Sequence, residues 1–194
     1  MKNIFKIILL LFILSIFTGC GYNTIIRNDE ACKEAWGNVQ SAYQRRMDLI
    51  PNLVEVVKGY ATHERETLQA VVEARSRAGS IQMTPQMMND PKAFAAFQQA
   101  QGSLQSSLSR LMAVVENYPN LKANENFMDL QHQLEGTENR INVARNRYNE
   151  AVKVFNTSIR TFPYNITNSL FNKLGPREAF SAQEGANVAP KVKF

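Results

Sequence analysis

Histidine, cysteine, proline and glycine are all sparse in this chain of 194 residues, and each scarcity closes off a chemistry. Of the two histidines, His63 follows Tyr60 and His132 follows Asp129 by three residues, so neither completes the Glu-x-x-His motif that a di-metal centre in a helical bundle uses twice. The nearest approach is Asp129-Leu130-Gln131-His132, with Glu64, Glu135 and Glu138 as further carboxylates, while His63-Glu64-Arg65-Glu66-Thr67 lacks the second histidine of a zinc protease helix. No metal ligands and no cofactor are therefore assigned. Two cysteines, Cys20 and Cys32, are too few for a disulfide scaffold, and Cys32 occupies a helical apolar position, so no disulfide is expected. There is no Ser-His-Asp set, no Cys-His pair, no phosphate-binding loop and no dinucleotide fingerprint; no catalytic residue is assigned, and the chain is not expected to be an enzyme. A basic face interleaved with aromatics is also missing, which argues against nucleic acid as a partner. The seven prolines and nine glycines lie mainly near the ends of apolar-periodic segments, and Pro51 is the one proline inside such a rhythm.

Ala, Leu, Gln, Glu, Arg and Asn fill the middle of the chain, a composition that favours helix over sheet. The length suits one well-buried domain rather than two. Net charge is +5; setting aside Lys2 and Lys6, twenty basic residues face seventeen acidic ones. Those two lysines precede an apolar run, Ile7 to Phe17, interrupted only by Ser15 and followed by Thr18-Gly19-Cys20. This is the pattern of a secretory signal, residues 1–19, ending at a lipobox, which makes Cys20 the first mature residue and its thiol the lipid attachment point. Two or three acyl chains hold a domain stably on a bilayer, at roughly 0.8 kcal/mol per buried methylene. An uncleaved membrane helix is the rival reading, since no charge occurs from Ile7 to Ile26. In either case the lysines stay cytoplasmic and the helical domain lies outside the cytoplasm, membrane-anchored in a bacterial cell envelope.

Four helices follow from the apolar rhythm. Ile25, Cys32, Ala35, Trp36, Val39, Ala42 and Tyr43 mark the first, ending near Met47. Asp48 can cap a second with Pro51 in its first turn, carrying Leu53, Val57, Tyr60, Leu68 and Val71 to about Gly79. The stripe keeps its phase across Pro51, however, so a single long kinked helix is the alternative. After the breaker-rich stretch Gly79 to Pro91, a third helix begins at Asp90-Pro91 and carries Phe97, Leu104, Leu108, Leu111 and Val115. The fourth has the strictest seam, from Phe127 through Leu130, Leu134, Thr137, Ile141, Ala144, Tyr148, Ala151, Phe155 and Ile159 to Phe162. Residues 20–163 thus read as an all-α, up-and-down antiparallel four-helix bundle with coiled-coil-like helices, and residues 164–194 as an irregular, partly packed tail.

Three stretches resemble the LemA family: RRMDLIPNLVEVVKGYATHE from Arg45, NYPNLKANENFMDLQHQLEGTENRINVARNRYNEAV from Asn117, and FNTSIRTFPYN from Phe155. Together the likeness runs from about Tyr22 to Asn165. It implies an up-and-down four-helix bundle tethered to a bacterial membrane by its amino terminus, without established enzymatic activity and with a role in membrane organisation. Phe155 stands where a tyrosine is common in the family, and the tail LFNKLGPREAF is less regular than usual.

In such a bundle the turns at Asp48 to Pro51 and Tyr118 to Leu121 meet at the membrane-distal end, where Arg45 and Arg46 are available to a protein partner. Glu64 falls on the stripe of helix two, level with Gln101 and Thr137, and with Arg140 one turn below it completes an expected internal polar layer that sets register. Arg140, Arg145, Arg147, Lys153 and Arg160 gather toward the carboxyl end of helix four; they suit anionic headgroups, or simply the field of a helix end. The function expected is a membrane-anchored helical scaffold or interaction protein. The alternative is a carboxylate-bridged metal-binding bundle.

Overall fold

The computed structural model describes residues 2–181, with side chains from Gly21 onward and, before it, those of Ile4 and Lys6. The described chain is all-helical, with six α-helices rather than four: α1 (Lys2–Tyr60), α2 (Arg65–Ser80), α3 (Pro91–Val115), α4 (Pro119–Lys122), α5 (Glu125–Ser158) and α6 (Tyr164–Thr167). A 3-10 turn, Pro85–Asn89, precedes α3, and a π-helical turn, Asn168–Asn172, follows α6.

Pro51 does not start a helix. It lies inside α1, which continues nine residues beyond it, and Asp48 is a mid-helix surface residue accepting from Gln44 Nε2 at 2.7 Å. A proline within a helix removes one hydrogen bond and crowds the carbonyl four residues back, at a cost of about 3 kcal/mol. That carbonyl belongs to Met47, and Arg75 of α2 donates its Nε–H to it at 3.0 Å. Leu49, Ile50, Leu53 and Val57 are buried around the proline, so the apolar stripe draws the helix onward. The first interhelical turn is displaced to 61–64, just after Gly59, a residue that weakens helix by about 1 kcal/mol relative to alanine.

From that turn α2 runs back along α1, and α3 returns alongside α2. Asp90 caps α3 through the amides of Lys92 and Ala93, with Pro91 in the first turn, as its sequence predicts. Asn124 caps α5 through the Phe127 amide, and α5 then descends against α1: Tyr60 meets Asn124, Arg46 meets Glu138, and Trp36 meets Tyr148. Two hydrophobic cores stack along this axis. The far core holds Leu53, Val57, Val71, Leu104, Leu111, Leu121 and Phe127, and the near core holds Trp36, Phe94, Phe97, Tyr148, Phe155 and Phe180.

Because α2 stops at Ser80, it cannot wall the near core. The loop after it supplies Met87 and Met88, and residues 174–181 form an extended strap that completes the wall. Two asparagines of α5 hold the strap. Asn156 donates to the carbonyl of Arg177 at 3.0 Å and accepts from its amide at 2.8 Å; Asn149 does the same with Phe180, at 3.0 and 2.9 Å. Their spacing matches, since seven residues of helix and three of extended chain both span about 10 Å. Tyr148 Oη adds a bond to the Glu178 carbonyl at 2.8 Å. The tail expected to pack only partly therefore divides: Phe180 is buried among Trp36, Phe94 and Tyr148, whereas Phe171 is 63% exposed. Phe162, placed on the α5 seam by periodicity, is 77% exposed, and Ile159 is the last buried residue there.

Replacing Phe180 with alanine is expected to remove roughly 3 kcal/mol of unfolding free energy in a denaturant titration, the usual cost of emptying an aromatic core site. Phe171→Ala should lie within about 0.5 kcal/mol of the parent, as exposed substitutions do.

Candidate functional site

The junction between the two cores is polar, and Arg46 is its centre. On a helix continuing through Pro51, Arg46 follows Tyr43 by three residues and precedes Ile50 by four, so it faces inward and is 3% exposed. One guanidinium nitrogen donates to Gln105 Oε1 and Glu138 Oε2, each at 3.0 Å, and the other to Gln101 Oε1 at 2.6 Å. Its Nε has no hydrogen-bond partner among the described residues, and the guanidinium carbon stands 5.0 Å from the Tyr43 ring centroid. The planar fork thus reaches α3 and α5 at once, a geometry that lysine cannot reproduce.

The expected polar layer exists with different members. Gln101 belongs to it. Thr137 is buried at its level, but its hydroxyl bonds the Gln133 carbonyl one turn back in α5 at 2.7 Å. Glu64 is not in the layer: with α1 extended to Tyr60, it falls in the far turn and accepts from Tyr118 Oη at 2.9 Å. Arg140 is exposed on α5 and does not neutralise an internal carboxylate. Arg46, expected to serve a partner, is consumed by the interior. Arg45, one residue earlier, stays on the surface and donates to Gln133 Oε1 at 3.0 Å.

A second buried guanidinium lies in the near core. Arg177, on the strap, pairs with Asp29 of α1; both are nearly inaccessible, and Lys33 adds a contact to Asp29 at 2.9 Å. Burial alone would raise the Asp29 pKa, but the hydrogen bonds from Arg177 and Lys33 outweigh it and hold the carboxyl below its usual range. Arg177 also lies over the Phe155 ring, 5.1 Å from its centroid. Beside this pair, burial and the Asp29 charge push the Cys32 thiol up to about 11, so it is protonated and unreactive at neutral pH. The side chain of Cys20 lies outside the described residues.

Two open grooves flank the Arg46 layer. The larger, about 1070 Å³, lies between α1, the end of α2 and the loop at Met83, and includes Arg45, Asp48, Arg75 and Gln101. The smaller, about 530 Å³, lies between α1 and α5 and includes Arg45, Arg140 and Arg147. Neither is lined by a histidine or a cysteine, and the charged groups along them are arginines and Asp48. Among the described residues no three histidine, cysteine or carboxylate side chains gather around a common point; His132 and Glu135 are neighbours at 4.0 Å on the exposed face of α5.

The fold and this site define an all-helical protein whose strongest polar interactions hold its own helices in register. The chain belongs to the LemA family, whose profile matches residues 35–194. It is similar to the magnetosome proteins MamQ 2 and MamQ 1 of Paramagnetospirillum magneticum, each 28% identical over 140 residues, covering 64% of this chain and 52% of the relative. Magnetosome protein MamQ of Magnetospirillum gryphiswaldense is 26% identical over 143 residues, with the same coverage. The chain spans about half the length of the curated relatives it matches.

Asp29, Arg177, Gln105, Asn149 and Asn156 were not singled out from the sequence, and Glu138, named there only as a possible metal carboxylate, is instead a partner of Arg46. Asp29 and Arg46 carried a signal, each being a charged residue in step with an apolar stripe; the strap contacts carried none, because an extended segment has no period in common with a helix. Removing Arg46 leaves the buried Gln101 amide oxygen and the half-buried Gln105 and Glu138 oxygens without their donor, so Arg46→Ala is expected to cost roughly 2 kcal/mol in chemical denaturation. Arg45→Ala should cost under about 1 kcal/mol. Equal losses would mean that Arg46 is solvated.

Proposed function

We propose that this protein is a membrane-tethered helical scaffold or interaction protein of the bacterial cell envelope that acts in membrane organisation without catalysing a reaction. The observation that carries the proposal is α1, which is continuous from Lys2 to Tyr60 and so joins the apolar run Ile7 to Phe17 to the core as one rod. A rod of that length rises about 90 Å, enough to enter a bilayer and still present a domain well beyond it. The positively charged start, Lys2 and Lys6, assigns the domain to the side away from the cytoplasm. Where residues 1–19 are removed at the lipobox, the rod begins at Cys20 and the lipid on its thiol replaces the apolar run as the anchor, at the same end of α1. The relatives' name, taken from the magnetosome, accords with a role in organising membranes.

Within this reading α1, α2, α3 and α5 are an up-and-down antiparallel bundle, and its far end, with the turn at 61–64 and α4, is the docking end for a protein partner. Arg45 remains available to that partner. The commitment of the buried Arg46 and Arg177 to internal bonds supports a structural rather than a catalytic role for them.

Full-length protein expressed in a bacterial host is expected to stay with the membranes through an alkaline carbonate wash. Recovery in the supernatant would overturn the tether. Cys20→Ser should abolish a lipid-dependent gel shift; an unchanged, still membrane-bound product would assign the anchor to an uncleaved helix instead.

A further inference from the structure

Beyond Ser158 the chain folds back against α1 and leaves its outer surface unusually apolar. Tyr164 is half-buried and Thr167 only 2% exposed, and both lean on Gly21, where a Cβ would stand 2.9 Å from Thr167 Oγ1 and 3.1 Å from the Tyr164 ring. A larger residue would have to push the Thr167 hydroxyl and the Tyr164 ring aside, so glycine lets α6 sit directly on α1. On the other side Phe162, Ile166, Leu170 and Phe171 are open to solvent, Leu170 at 62%. Other exposed apolar residues, such as Val72 and Val143, occur singly and call for no explanation. Four large ones within the span 162–171, two of them phenylalanine, form a patch that does.

Position and charge indicate what covers it. Gly21 is four residues past Phe17, about 6 Å along the helix, so α6 stands at the level where the apolar run of α1 would leave a bilayer. No acidic residue occurs from Ala151 to Arg177, and Arg160 and Lys173 are exposed beside the patch. Apolar side chains rimmed by basic ones, lying against a surface rather than through it, are the pattern of an interfacial membrane contact.

We infer that Phe162, Ile166, Leu170 and Phe171 form a second membrane contact, inserted at the headgroup–acyl boundary of the leaflet through which α1 is anchored, with Arg160 and Lys173 against anionic headgroups. This rests on the tether proposed above and adds to it a function: one anchor leaves the rod free to swivel, whereas two contacts fix its angle to the bilayer. The far end, about 60 Å from Gly21 along α1, is then held at a set height.

The test uses the full chain, reconstituted into vesicles of phosphatidylcholine and phosphatidylglycerol with brominated acyl chains. Phe171→Trp is compared with Val72→Trp on α2, the emission of the native Trp36 being subtracted with the parent protein. An indole at position 171 is expected to be blue-shifted and quenched at least about threefold more than one at position 72, as for a group buried at the acyl boundary. If the protein floats with the vesicles but both positions are equally unquenched, the inference is wrong and the patch belongs to another occupant, residues 182–194 or a second copy of the chain. If the protein does not float, the tether and the second contact both fail.

Discussion

Pro51 cannot donate to the carbonyl of Met47, and Arg75 does so from the neighbouring helix. That exchange allows a residue that normally ends helices to sit within one, and the rest of the arrangement follows from the continuity it preserves. The far turn moves to 61–64, Glu64 moves with it, and Arg46, which a turn at Asp48 would have left at the surface, is carried into the core. The bond also fixes α2 against α1 at the height where α2 is about to end, so the strap, not α2, must close the near core.

Two buried guanidiniums then divide the labour. Arg46 joins α1, α3 and α5 at the junction of the cores, and Arg177 joins the strap to α1 through Asp29. Neither is a large net source of stability, because desolvating a charge costs about as much as pairing it returns. What they supply is discrimination. A helix slipped by one turn, or a strap bound out of place, would leave a charge buried and unpaired at a cost of several kcal/mol. Asn149 and Asn156 apply the same logic to the strap backbone, whose polar groups would otherwise be buried without partners.

Much of this was legible in the sequence. The all-helical class, the Asp90-Pro91 start of α3 and most of the α5 seam followed from propensity, caps and period, which are local. The interior of α1 was legible only as a choice, because whether Pro51 breaks the helix depends on Arg75, twenty-four residues away. A polar residue on an apolar stripe marks a polar layer in the sequence, but its level depends on where the turn after α1 lies, and that turn is at 61–64. Hence Gln101 fell in the layer, while Glu64 and Arg140 did not. The strap was illegible because its partners are side-chain amides on another element and its own pattern is aperiodic.

A double-mutant cycle between Pro51 and Arg75 tests the role of the Met47 carbonyl most directly. Arg75→Ala is expected to cost about 1 kcal/mol in the parent chain, the worth of one hydrogen bond. In a Pro51→Ala background the new amide at position 51 can bond that carbonyl from within α1, and the same Arg75→Ala substitution should then cost close to nothing, a coupling well outside the additivity of independent sites. Equal losses in both backgrounds would contradict the dependence of α1 on Arg75.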